Sequence, residues 1–345
     1  MIDQQPFGSA DGKPVSLYSL TNQGGLCAKI TDYGGIVTEL HVPDRAGRLA
    51  DVVLGFADLA GYLAGHPYFG AIVGRVGNRI ANARFELDGE VFELSANKPP
   101  NHMHGGFKGF DKKVWEAEPM ATGQGPALRL RYLSADGEEG YPGRLDVTVI
   151  YTLRDDNALH LEIVATTDRP TIVNIVNHTY WNLGDEPTVL DHEVQLFASR
   201  HTPASADLVP TGRIAPVAGT PFDFRAAKPI GRDLAAAGGD PAGFDANFVV
   251  DGNPGALRPV ARVVHPGSGR VLEISADQPG VQFYTGNSLH GATSGKGRDH
   301  VQYGGCCFET QCFPDSINKP AWRDAVILRP DQSYRHTQTA RFGTV

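Results

Sequence analysis

The sequence predicts an all-β protein, a large antiparallel β-sandwich, on three observations. Apolar residues recur with a period of two, turn-forming clusters separate those windows, and helical windows are few and short. In LDVTVIYTL, Leu145, Val147, Val149, Tyr151 and Leu153 share one face, while Asp146, Thr148 and Thr152 occupy the other. The segments Leu128 to Leu133, Leu159 to Thr167 and Arg270 to Asp277 read the same way. Between them lie SADGEEGYPG (Ser134 to Gly143), RDDN (Arg154 to Asn157) and HPGSG (His265 to Gly269). Only DLAGYLAG near Asp58 and RDLAAA near Arg232 have a helical pattern, each about two turns long. Strands and helices do not alternate, which excludes a parallel α/β fold.

The chain of 345 residues is expected to form one domain over 1–345. At about 150 residues per domain it could hold two, but β-sandwiches run past 200 as single units. No composition break divides it, and the Gly-rich stretch from Gly238 to Gly255 carries the apolar run FDANFVV, the mark of an ordered loop. Gly and Pro number 41 and 24, without a repeating period, as frequent turns require.

Charge narrows the function. A net charge of −8 and no run of Lys or Arg leave no basic field for nucleic acid. The apolar stretches are too short to span a bilayer. MIDQQPFGSADG has neither the basic nor the apolar region of a signal peptide, so a cytoplasmic location is expected. The cysteines, at 27, 306, 307 and 312, are too clustered for a disulfide framework and lack a zinc spacing. They read as small buried apolar side chains.

Several signatures fail. GATSGKG (Gly291 to Gly297) is one residue short of a phosphate loop and has no Ser or Thr after the Lys. No dinucleotide fingerprint and no nucleophile elbow occurs. What remains is polar residues in segments that should be buried. NHMHGG places His102 and His104 on one face if extended, which leaves a metal pair, a hydrogen-bonded turn or a ligand contact open. TIVNIVNHTYWNL reads as a strand with a polar side near its end. His178 there sits among Asn177, Tyr180, Trp181 and Asn182, an aromatic and hydrogen-bonding mixture suited to a sugar, although a structural His is the alternative. In GGCCFETQCFPD, Glu309 shares a face with Cys307 and Gln311. A carboxylate in such surroundings must be paired or raised in pKa, which makes it a candidate general base. Gln282 and Tyr284 share a face of PGVQFYTGN, Asn78 and Arg79 lie among glycines in GRVGNRIANARF, and Asp245 stands between aromatics in GFDANF.

In their order, GRVGNRIANARFELDG, NHMHGG with GFDKKVWE, NHTYWNL, GFDANF, QPGVQFYTGN and FETQCFPDSINKP resemble the aldose 1-epimerases. The resemblance runs from about Gly70 to the end, and TDYGGIVTELHVPDRAG is similar to the family's opening strands. It implies a β-sandwich that interconverts the α- and β-anomers of free aldoses such as galactose and glucose, with no metal or organic cofactor. It aligns Glu309 with the general base and His178 with the general acid. Asn78, Arg79, His104, Asp245 and Gln282 align with sugar-contacting positions, and Tyr180 joins them as the aromatic beside His178. Departures are Trp181, where Phe is usual, and the Cys306-Cys307 pair before the Glu, which leave the sugar preference open. The expected partner is a free monosaccharide, not nucleic acid or a membrane, and the expected state a monomer or weak homodimer. Rivals on the same residues are a non-catalytic sugar-binding module, a glycoside hydrolase using Glu309 and Asp245, a metalloenzyme on His102 and His104, and a relative acting on a phosphorylated hexose.

Overall fold

Alternation of apolar and polar residues along the strands settles both faces of each sheet in the computed structural model, which describes residues 1–289 and 294–345. Most of GATSGKG's first half therefore lies outside the described residues. Nine strands form the largest sheet, in the order Glu116–Thr122, Gly125–Ser134, Leu145–Leu153, Ala158–Thr167, Tyr334–Thr344, Arg270–Ala276, Arg258–Val264, Glu193–Leu196 and Lys228–Pro229. Every pairing in it is antiparallel. The strand Leu145–Leu153 has the predicted bounds and the predicted buried face. A five-stranded antiparallel sheet, Ile2–Ala10 through Leu49–Asp51, forms the N-terminal part.

A six-stranded sheet builds the site. Its order is Tyr180–Trp181, Cys306–Gln311, Gly280–Tyr284, Asp245–Val249, Arg200–Thr202 and Ala215–Pro216. Period-two alternation gives it two opposite characters. Cys306, Phe308, Val281, Phe283 and Phe248 face the main core, together with Val147, Val149, Ile163 and Ile274 of the large sheet. Phe283 stacks on Phe308 with centroids 5.1 Å apart, which fixes the spacing of the two central strands. The residues between them, Cys307, Glu309, Gln311, Gln282, Tyr284 and Asn247, therefore form the opposite face.

Helix is scarce, as predicted. Leu59–Leu63 is one short helix whose N-terminus is capped by the Asp58 side chain on Gly61 N at 3.0 Å. RDLAAA forms two 3₁₀ segments, Ile230–Asp233 and Ala235–Ala237, instead of an α-helix. A second expectation is also corrected. TIVNIVNHTYWNL is not one strand but three two-residue strands, each with a different partner. Thr171–Ile172 pairs with Ile327–Leu328, Val176–Asn177 with Ile72–Val73, and Tyr180–Trp181 with Cys306 and Cys307. The segment crosses between sheets, and His178 sits at the crossing.

Among the described residues no helix is long and apolar enough to cross a membrane. All four cysteines are free, and three are buried as read from the sequence.

Candidate active site

One strand, one crossing segment and two turns deliver the site. The central strand Cys306–Gln311 presents Glu309, flanked by Gln282 in register on the next strand. The crossing segment presents His178. The turn after Gly77 and the turn after Met103 present Asn78 with Arg79, and His104.

The two turns are latched together. His104 N donates to Asn78 O at 2.9 Å, and Asn78 N donates to His104 Nδ1 at 3.2 Å. Both residues adopt left-handed backbone, with φ of 49° and 58°. Gly105 follows because a Cβ there would lie 1.7 Å from Gly74 O. His104 therefore leaves the extended path, and the expectation that it shares a face with His102 fails. Only His102–Met103 is strand. The His102 ring engages Ser95 O and the Tyr141 hydroxyl, each at 2.7 Å, so both its nitrogens are committed to the structure.

His178 Nε2 and Glu309 Oε1 face each other at 3.5 Å, and both side chains are buried. Glu309 Oε2 has no protein hydrogen-bond partner. Burial pushes the Glu309 carboxyl up to about 8; the nearby Asp245 charge adds to this and Arg79 opposes it. Burial pushes His178 down to about 4, against a hydrogen bond from the ring to the residue's own backbone. The two opposed shifts favour a neutral pair, with the proton on the carboxyl rather than on the imidazole. A neutral pair avoids the cost of desolvating two charges. The raised Glu309 agrees with the expectation from its sequence surroundings, whereas burial favours the neutral form of the ring aligned with the general acid.

Asp245 is half-buried at the cleft, and desolvation raises its carboxyl, with Arg79 and the Gln282 amide opposing. Gln282 Nε2 donates to Asp245 Oδ1 at 2.5 Å. Gln311 Nε2 continues the network to Asn247 Oδ1 at 3.1 Å. A cleft of about 450 Å³ opens beside Asp245, Asn247, Gln282 and Tyr284, within the size range of ligand sites. Glu309 and His178 do not line it; Glu309 lies one strand further in, next to Gln282.

Sequence reasoning missed Tyr68, whose ring lies against His104 at 4.5 Å and against His178 at 5.7 Å. Its φ of 63° turns it out of the chain direction, and no periodicity in HPYFG signals that. Tyr180 stands behind His178, stacked at 5.1 Å and buried.

Atoms of His104, His178 and Glu309 lie within 4.8 Å of one another, close enough to raise the question of a cation. His104 answers it. Its Nδ1 accepts the Asn78 N–H, so its proton is on Nε2, the nitrogen left for the site. That nitrogen is a hydrogen-bond donor and offers no lone pair. A second grouping, Asp191, His192 and His265, fails for the same reason. His192 Nε2 accepts from Leu183 N at 2.9 Å, so Nδ1 keeps its proton and faces Asp191 at 3.5 Å.

A β-sandwich whose polar sheet face holds a buried carboxyl–imidazole pair, ringed by amide, guanidinium and carboxylate groups, defines an acid–base catalyst for a small polyhydroxylated molecule. The aldose 1-epimerase family model matches residues 16–341. The galactose mutarotase of Homo sapiens is 46% identical over 316 residues, 91% of this chain and 90% of that protein. The aldose 1-epimerase of Escherichia coli K12 is 34% identical over 97% of each chain. The crystal structure of galactose 1-epimerase from Lactobacillus acidophilus NCFM superimposes with a TM-score of 0.88 at 28% identity, covering 100% of this chain and 99% of that one. This chain belongs to the aldose 1-epimerase family.

Proposed function

We propose that the protein is a mutarotase that interconverts the α- and β-anomers of free aldoses, galactose and glucose among them, by opening and reclosing the sugar ring. The observation that carries this reading is the buried Glu309–His178 pair, with the carboxyl and the imidazole 3.5 Å apart. Mutarotation needs that inventory. A base removes the proton of the anomeric hydroxyl while an acid protonates the ring oxygen. As the anomeric O–H bond breaks, the carbonyl forms and the bond from the anomeric carbon to the ring oxygen opens. Rotation about the adjacent carbon–carbon bond and closure on the other face reverse the transfers.

Glu309 is the base and His178 the acid. The pair rests as carboxyl and neutral imidazole, so its proton must first pass from Glu309 to His178 Nε2. Sugar hydroxyls and Arg79 around the carboxylate favour that passage by stabilising the anion. His104, through Nε2–H, and Asn78, Arg79, Asp245 and Gln282 hold the remaining hydroxyls. Tyr180 contributes by backing the His178 ring. A hydrolase would need two carboxylates working in concert, whereas the Asp245 carboxyl is already engaged by Gln282.

We read residues 1–345 as one catalytic domain, a monomer or weak homodimer working in the cytoplasm; four free cysteines, three of them buried, support a reducing compartment. Polarimetry of fresh α-galactose, α-glucose, arabinose and xylose tests the function. Accelerated approach to the anomeric equilibrium is expected. Rates no faster than buffer with folded protein would overturn the reading in favour of a sugar-binding module.

A further inference from the structure

We infer that Cys307 is a positioning residue for His178: its sulfur holds the Nδ1 side of the imidazole, so that Nε2 is kept facing Glu309 by a partner too weak to make the ring basic. The inference rests on the mutarotase reading above and adds a residue to it.

The geometry comes from one strand face. Cys307 and Glu309 are two residues apart on Cys306–Gln311, so their side chains point the same way. Cys307 Sγ lies 3.6 Å from His178 Nδ1, and Glu309 Oε1 lies 3.5 Å from His178 Nε2. A single strand thus addresses both nitrogens of the imidazole. Cys307 is fully buried, between its register partners Tyr180 and Tyr284. It cannot move away without breaking the sheet.

The direction of the contact follows from the groups around it. Tyr180, Tyr68 and His104 pack on the His178 ring. Cys306, Tyr284, His102, His66, Lys112, Arg79 and Asp245 are the other titratable groups whose fields reach the cluster. None of them takes the Nδ1 position. Nε2 faces the Glu309 carboxyl, which burial holds protonated and which therefore donates, so the ring proton sits on Nδ1, toward Cys307 Sγ. With the proton on Nδ1, the Nε2 lone pair faces Glu309 and can receive its proton directly. Burial, with Glu309 and Asp245 nearby, holds the thiol far above its ordinary pKa, so no thiolate forms to stabilise an imidazolium.

A neutral sulfur is a weak acceptor. A carboxylate in that place would make the ring a strong base and a poor acid. Sulfur keeps the ring oriented and leaves His178 ready to give up its proton to the ring oxygen of the sugar.

Cys307→Ser and Cys307→Ala test this through the pH dependence of kcat/KM and through the ¹⁵N chemical shifts of the His178 ring. Serine, a stronger acceptor, should raise the acidic limb of the profile by about half a unit to one unit and move the His178 ring titration with it. Alanine should lower kcat about tenfold with KM within about twofold, because an unheld ring affects the proton transfer more than the ground state. Circular dichroism and thermal melts identify the folded fraction, and the near-isosteric serine variant covers the case in which alanine does not fold. Folded serine protein with an unmoved limb and unmoved ring shifts would overturn the inference. Wild-type protein inactive on every aldose would instead overturn the function, so the two failures are distinguishable.

Discussion

Replacing Glu309 by Gln should make the protein more stable at alkaline pH and leave its stability nearly unchanged in acid. Burial raises the Glu309 carboxyl from 4.5 to about 8. A group whose folded pKa lies above its unfolded value contributes fully below the unfolded pKa, and that stability is lost as pH rises toward the folded pKa. The wild type should therefore lose stability between about pH 4.5 and pH 8, as a carboxyl that ionises freely in the unfolded chain is held protonated in the fold. The full shift corresponds to at most about 5 kcal/mol. Water entering the site reduces it, so we expect Glu309→Gln to exceed wild type by about 2–4 kcal/mol at pH 9. Near pH 4.5 the neutral acid and the amide are close in shape and polarity, and the difference should approach zero. Urea unfolding of both proteins across this range gives the difference directly. A difference independent of pH would refute the argument, since it would mean that Glu309 titrates alike in the folded and unfolded chains.

Three further predictions follow from the carboxyl–imidazole pair. The kcat/KM profile should be bell-shaped with apparent limbs near 4 and 8, the acidic limb owned mainly by His178 and the alkaline limb by Glu309; activity rising monotonically with pH would contradict the one-proton inventory. His178→Asn should lower turnover by roughly 10²–10⁴-fold with little change in KM, measured by polarimetry on folded protein. Asp245→Asn removes a charge that raises Glu309, so it should move the alkaline limb to lower pH and raise KM; a limb that stays in place would break the proposed coupling.

How much of this was legible in the sequence depends on what set each feature. Strands such as Leu145–Leu153 were legible because a sheet with one buried face imposes a period of two on the residues themselves. The same rule placed Glu309 beside Cys307 and Gln311, and Gln282 beside Tyr284. His178 was legible as a residue but not in its backbone, because TIVNIVNHTYWNL pairs with three strands in turn and local periodicity cannot report a partner. The separation of His104 from His102 was hidden for a related reason. It depends on a left-handed residue latched to Asn78, a contact across 26 positions. The resting site of the proton was out of reach because it depends on burial from every side. Tyr68 was missed because ring contacts between distant segments leave no trace in HPYFG.

The most direct test of the account is anomer interconversion by Glu309→Gln at neutral pH. The amide keeps the shape and most hydrogen bonds of the carboxyl but cannot accept the anomeric proton. The account predicts a loss of at least about 10²-fold in turnover on fresh α-galactose, the lower end of a general-base contribution, with sugar binding retained by calorimetry. Turnover above about a tenth of wild type in folded protein would show that Glu309 is not the base.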